Sequence, residues 1–351
     1  MKWYALAHLG CEEAVQQELS RQGIQAVLHS GFVSFQASKQ EAAVFLYSTK
    51  CSTRLLAAIA HGSLESIDVS SAHEFIPEEA SFCVRSEVIA AGPQDTSSQE
   101  INYSLGAQVS RSVDLDNPEY TLFCQVGVEC VVGIDVSGDL SKRYYRIFSN
   151  SRSMKGTLIA SILELFSVTG VLLDPFGNTG EVCIEAAMKY TKTSPLKYKK
   201  FDNYSLLQEE AAGWSDEEIA SSADVFCYDD QLGNLRSAKK NAKLAGVLGS
   251  ITFSKITPEW MDVKFEEASV SCIVTTPPPV TKRNSESAHL EELCYQSAFV
   301  LKKKGRLVVV CLTPETALKL SEYADKHELV LVSQRVVFSG QLAIEVVEYG
   351  L

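Results

Sequence analysis

Residues 172–180, LLDPFGNTG, run directly into EVCIEAAM at 181–188, and this stretch decides the fold. An apolar run ends in an acid, a glycine-bearing turn follows, and an apolar-periodic stretch begins: strand, loop, helix. Gly177 and Gly180 let backbone amides approach a ligand closely at the C-terminal edge of a sheet. Asp174, at the strand end, is placed to accept from a ligand's ammonium group. A glycine loop alone is a weak signal. Its weight comes from the end of the next apolar run, where Asp229 opens DDQLGNLRSAKKNAKLAGV. A carboxylate there is placed to accept both ribose hydroxyls of a nucleoside cofactor. Strand-end turn acids or helix caps are the plainer alternative for both residues.

Working outward, strands are expected at GVLLD, DVFCYD, SITFS, VSCIVTT and GRLVVVCL. Helices are expected at EVCIEAAMKY, LGNLRSAKKNAKLAG, SESAHLEELCYQSAFVLKK and PETALKLSEYADKH. The strands are continuous apolar runs, as in a parallel sheet buried on both faces. The tail reads as a hairpin turning at Ser339-Gly340. An α/β domain of parallel strands closed by an antiparallel hairpin is the layout of class I Rossmann-like methyltransferases rather than of dehydrogenases. Upstream, residues 1–60 alternate strand, helix, hairpin and helix, as a small α+β sandwich does. Residues 61–150 mix strands and turns. A helix is expected over EINYSLGAQVSRSV, and two strands over TLFCQVGVECVVGIDVSG.

At 351 residues the chain is long enough for two or three domains, taking about 150 residues as a typical domain size. Its 46% hydrophobic and 22% charged residues fit a soluble globular protein. The N-terminal stretch lacks the apolar core of a secretory signal. The most apolar run, residues 156–173, is broken by Glu164 and Gly170, so a cytoplasmic protein without a membrane span is expected. None of the ten cysteines forms a C-x-x-C pair and the six histidines lack ligand spacing, so buried reduced thiols and no metal site are expected. The net charge of −12 argues against bulk electrostatic coating of nucleic acid. Residues 142–200, however, hold ten Lys and Arg against four acids, a local basic belt suited to a positioned RNA contact. A solvated lysine-rich surface is the plainer alternative.

Asp174-Pro175-Phe176-Gly177-Asn178-Thr179-Gly180, Ile184-Glu185-Ala186-Ala187, and Asn241-Ala242 with Ala245-Gly246-Val247 resemble motifs of the THUMP-domain RNA guanine-N2 methyltransferases. That family includes archaeal and bacterial tRNA enzymes and a bacterial large-subunit rRNA enzyme. The insert KTSPLKYKKFDNYSLLQEEAAGWSDEE is similar to theirs. So are LGCEEAVQQEL, SFCVRSE, NPEYTLFCQVGVECVVGIDVSG and KRYYRI upstream. The resemblance implies a ferredoxin-like domain at 1–60, a THUMP domain at 61–150 and a methyltransferase domain at 151–351. It implies S-adenosyl-L-methionine as cofactor, held by Asp174, Phe176, Gly177, Asn178, Gly180, Asp229, Asp230 and Thr257. It also implies tRNA as partner, gripped at its acceptor end by the THUMP module. Lys142, Arg143, Tyr144, Arg146, Arg152 and Lys155, with Lys197, Lys199 and Lys200, are the expected RNA contacts. Guanidinium groups fork onto phosphates and tyrosines stack on unpaired bases. No metal is implied, the oligomeric state stays open, and a monomer is favoured.

The family's catalytic motif is N-P-P-Y or D-P-P-Y, whereas this chain reads Thr276-Pro277-Pro278-Pro279. In the family pattern the polar side chain and a proline carbonyl accept the two amine hydrogens of guanine, and the aromatic ring stacks on the flipped base. A threonine hydroxyl accepts more weakly, and proline offers no π face. Asn178 replaces a glycine, and its side chain would crowd the methionine part of the cofactor. The acid expected after the third strand, to contact adenine, is replaced by Ile256 and Thr257. Three readings follow: a tRNA guanine-N2 methyltransferase, a tRNA-binding relative without turnover, and a methyltransferase acting on rRNA or another base.

Overall fold

Local sequence sets many element ends. Ser38 starts a helix with a capping box: its hydroxyl accepts from Glu41 N (3.2 Å), and the Glu41 carboxylate accepts from Ser38 N (2.7 Å). Thr313 caps another helix, with Pro314 in its first turn. The computed structural model describes residues 1–93, 95–198, 206–211, 214, 220–282 and 286–351. Its contacts divide the chain into two units.

The first unit comprises Met1–Ser141, Leu196–Ser215 and Phe338–Leu342. Its elements are β1 (Lys2–Leu6), α1 (Glu12–Arg21), β2 (Ala26–His29), β3 (Phe32–Gln36), α2 (Lys39–Ser48), β4 (Arg54–Gly62), β5 (Ser81–Val88), α3 (Ser98–Gly106), β6 (Ser112–Val113), β7 (Tyr120–Val126) and β8 (Cys130–Asp135). The expected hairpin at Ser30-Gly31 is present as β2 and β3. All eight strands form one sheet, in the order β2-β3-β1-β4-β8-β7-β5-β6. The expected division at residue 60 therefore falls inside a strand. β4 pairs with β1 on one side and β8 on the other. Tyr4, Leu6, Phe32, Leu56, Phe123 and Val131 form one buried cluster spanning that division. The expected helix over 100–113 stops at Gly106, and Ser112–Val113 instead pairs in parallel with β5.

The second unit comprises Lys142–Pro195, Asp216–Val337 and Ala343–Leu351. It thus begins nine residues before the expected boundary. It holds α4 (Gly156–Leu165), β9 (Leu172–Asp174) and α5 (Glu181–Tyr190); the short α6 (Gln208–Ala211) groups with the first unit. Then come β10 (Val225–Tyr228), α7 (Leu232–Leu244), β11 (Ile251–Ser254), α8 (Met261–Lys264), β12 (Val270–Thr275), α9 (Ala288–Val300), β13 (Leu301–Cys311), α10 (Pro314–Lys326), β14 (Val330–Ser339) and β15 (Leu342–Gly350). The strand order is β11-β10-β9-β12-β13-β15-β14. β9 to β13 run parallel, and β15 returns antiparallel to β13, from Arg306↔Gly350 to Cys311↔Glu345. Leu173, Ile273, Leu307, Val309 and Leu320 belong to its buried core. The last turn expected for the third helix, SESAHLEELCYQSAFVLKK, is extended instead: residues 301–305 already belong to β13, next to a register shift against β12.

From β9 the chain steps outward to β10 and β11 on one side, then crosses from β11 back to β12 on the other side of β9. That reversal opens a crevice at the carboxyl ends of the strands, where α/β sheets bind ligands. Asp174 ends β9, Asp229 follows β10, and Thr276 follows β12, so the sheet delivers all three to that edge.

Candidate functional site

The loop after β9 is held tightly against its neighbour strand. Gly177 N donates to Tyr228 O (2.7 Å). A Cβ on Gly177 would lie 2.5 Å from Cys227 Sγ and 3.0 Å from Tyr228 O. Gly180 sits at φ +92°, where a side chain would be strained, and a Cβ there would meet Ala238 of α7 at 3.0 Å. Both glycines therefore serve the packing of loop on strand and helix on helix, a role that reading the sequence for ligand approach alone does not supply.

Asp229 is buried and its carboxylate is engaged on both oxygens. Oδ2 accepts from Asn178 N (2.9 Å), and Oδ1 accepts from Gln231 N (2.8 Å) and Asn234 Nδ2 (2.9 Å). It thus ties the glycine loop to the start of α7. Asn178 takes the left-handed backbone, φ 46°, that asparagine tolerates. Its amide is engaged by Asn150, which donates to Asn178 Oδ1 (2.5 Å) and accepts from Asn178 Nδ2 (3.2 Å). The side chain expected to crowd the cofactor is thereby committed to residue 150.

Asp174 is also buried. Thr275 Oγ1 donates to its Oδ1 (2.6 Å), as does Phe176 N (3.1 Å). Desolvation dominates over these bonds and pushes its carboxyl up to about 7, with Asp229 and Glu181 adding like-charge repulsion. A cation arriving beside Asp174 would restore the ionised form.

Asp230 and Thr257 are brought together. They line a cleft of about 420 Å³ with Lys255, Ile256, Trp260, Val263 and Lys264. The Thr257 hydroxyl lies 3.2 Å from Glu259 Oε2, so a carboxylate is present two residues beyond the place the family pattern assigns it.

On the other side of the crevice, Thr276 and Pro277 are buried while Pro278 and Pro279 are partly exposed. Thr276 Oγ1 is buried without a hydrogen-bond partner, an exceptional state for a buried polar atom. His289 of α9, which carries no motif signal, lies against this segment. Its Nε2 is 2.9 Å from Pro278 O, and its ring meets the Phe176 ring edge-to-face at 5.9 Å.

The expected RNA contacts separate. Arg143 is buried, contrary to that expectation. Its Nε and Nη2 donate to Glu185 Oε1 (2.8 Å) and Oε2 (3.2 Å), and Tyr145 OH donates to the same carboxylate (2.7 Å). Tyr144 packs edge-on against Tyr145 (6.2 Å). Arg146 donates to Ser153 O (3.0 Å) and lies 3.9 Å from Glu181. Lys142 is exposed, and Arg152 and Lys155 are partly exposed. These residues belong to the second unit, whereas Lys197, beside the Tyr198 ring, belongs to the first, so the belt is not a single stretch of one unit. Lys199 and Lys200 lie outside the described residues.

All ten cysteines are free and buried. Among the described residues no cluster of three metal-ligating side chains occurs, and no helix is long and apolar enough to cross a membrane.

The strand order, the reversal at β9 and the acids at the ends of β9 and β10 define a methyltransferase fold. Residues 143–343 match the family model described as RMKL-like, methyltransferase domain, and the chain belongs to that family. It is 27% identical to the tRNA (guanine(6)-N2)-methyltransferase of Methanocaldococcus jannaschii, across 76% of this chain and 75% of that one. It is 26% identical to the ribosomal RNA large subunit methyltransferase K/L of Syntrophotalea carbinolica, across 84% of this chain but 46% of that longer protein. TrmN from Thermus thermophilus superposes over the whole chain and 99% of its own (TM-score 0.70, 19% identity). SMU.472, a putative methyltransferase complexed with SAH, does so over 98% of its own (TM-score 0.76, 18% identity). At these identities both structures speak for the fold.

Proposed function

We propose that the protein is an S-adenosylmethionine-dependent RNA methyltransferase whose target is the exocyclic N2 amine of a guanine in tRNA. The observation that carries this reading is the buried carboxyl of Asp174, which desolvation raises to about 7, at the reversal of a methyltransferase sheet. Bound there, the cofactor supplies an activated methyl group on a positively charged sulfur. Asp174 receives its ammonium group. Asp229 fixes the glycine loop through Asn178 N and lies beside the ribose position. The cleft lined by Asp230, Ile256, Thr257 and Trp260 receives the adenine. Thr276 and the carbonyl of Pro277 face the amine, with the unpartnered Thr276 hydroxyl as one contact. Lys142, Arg146, Arg152, Lys155 and Lys197 contribute phosphate contacts, and the first unit acts as a THUMP-like module holding the acceptor end.

The second reading, a tRNA-binding relative without turnover, rests on the replacement of the family's polar and aromatic residues by Thr276 and Pro279. One experiment separates the two. Labelled methyl from S-adenosylmethionine should appear in unmodified tRNA as N2-methylguanosine, mapped by nuclease digestion and mass spectrometry, and should be lost in Asp229→Ala. Tight tRNA binding with no transfer would favour the second reading.

A further inference from the structure

His289, at the start of α9, packs against both the proline segment and the glycine loop. The family pattern places a polar side chain before the first proline and an aromatic after the second. Here those positions hold Thr276 and Pro279. A hydroxyl that has no partner and must also orient its own proton is a weak acceptor. The His289 ring stands between the two halves of the site, edge-on to Phe176 of the glycine loop and bonded to the carbonyl of Pro278.

That bond fixes the chemistry of the ring. A proline carbonyl carries no proton, so Nε2 must donate to it, and Nδ1 is left holding the lone pair. Burial lowers the affinity of the ring for a second proton. The charged groups acting on it are Arg152, from the segment before α4, which disfavours the imidazolium, and Glu286, just before α9, which favours it. The imidazole is therefore neutral near pH 7, the state a proton acceptor needs.

We propose that His289 is a further catalytic residue: its Nδ1 accepts a hydrogen bond from the target amine and takes the proton which that nitrogen sheds on gaining the methyl group. This rests on the methyltransferase reading above. Atoms balance simply. The nitrogen lone pair forms the bond to carbon, the carbon–sulfur pair stays on sulfur, and the proton moves to Nδ1 and then to solvent. The side chain at 276 then needs only to leave room for the base.

The test uses the full-length protein, S-adenosylmethionine and an unmodified tRNA transcript. Nitrogen-15 spectra of the free protein should show His289 as the Nε2-protonated tautomer, with a pKa below 6.5. With S-adenosylmethionine saturating at every pH, so that protonation of Asp174 does not enter the profile, single-turnover transfer by the wild type should fall about tenfold per pH unit below that pKa. His289→Gln should slow transfer by about 100-fold or more and abolish the acid limb, while cofactor and tRNA affinities stay within threefold. His289→Phe, which restores an aromatic surface without an acceptor, should be as slow. A fast Phe variant, an unchanged pH profile in the Gln variant, or an Nδ1-protonated ring would each overturn the proposal while leaving the enzyme reading intact. A wild type that transfers no methyl would remove both.

Discussion

The two sides of the crevice are built on opposite terms. On the β9–β10 side, the Asp229 carboxylate accepts three hydrogen bonds, the Asn178 amide is paired with Asn150, and the loop lies close enough to β10 that a single methyl group at 177 has no room. On the β12 side, Thr276 keeps an unpartnered hydroxyl and three successive prolines offer carbonyls but no N–H. The first is a frame in which the Asp229 carboxylate and the Asn178 amide have structural duties, so it tolerates little change. The second is defined mainly by shape, so its side chains are free to differ from the family pattern without unravelling the sheet.

That contrast can be broken most severely at Gly177. Gly177→Ala should push the loop off Cys227 and Tyr228, lower stability by roughly 1–3 kcal/mol and abolish calorimetrically detectable binding of S-adenosylmethionine. Wild-type affinity in this variant would mean the frame is looser than its distances imply.

A smaller effect should come from protons on Asp174. Its folded pKa of about 7 lies above the ordinary value near ~3.9. Between those values the folded chain holds a proton that the unfolded chain has lost. Stability of the cofactor-free protein should therefore fall as pH rises from 4 to 7 and level off above it, and Asp174→Asn should flatten the slope. If, as proposed, the ionised form receives the ammonium group, affinity for the cofactor should rise about tenfold from pH 6 to 8. Denaturant melts and titration calorimetry across this range check both signs.

The smallest effect is expected at Thr276. Thr276→Val removes a buried hydroxyl that has no partner, so stability should stay within about 1 kcal/mol or rise, with cofactor affinity changed less than twofold. A loss comparable to that of Gly177→Ala would show the β12 side to be a frame as well.

Legibility in the sequence follows the same division. Asp174, Gly177, Gly180 and Asp229 stand out because strand, turn and helix signals are local and fall within a few residues. The parallel sheet and its closing hairpin are legible for the same reason. Arg143 is misread because what neutralises it, Glu185, lies 42 residues away, and a run such as KRYYR carries no sign of burial. The division at residue 60 is misplaced because β4 owes its position to β1 and β8, and no local signal reports such pairing. His289 is missed because a lone histidine in a helix has no spacing to mark it. Asn150 is missed because its role exists only once Asn178 has adopted its left-handed backbone.

The pairing of Arg143 with Glu185 bears on any attempt to divide the gene. A fragment starting at 151, where the motifs alone would place the cut, would keep Glu185 inside α5 and discard both its counterion and the Tyr145 hydroxyl. The orphaned charge would cost about 3–5 kcal/mol, a large part of what holds an ordinary domain together. The short polypeptide 142–150 is thus the second unit's own first course of masonry, and a gene shortened across it should give a fragment of markedly lower stability than one begun at 142.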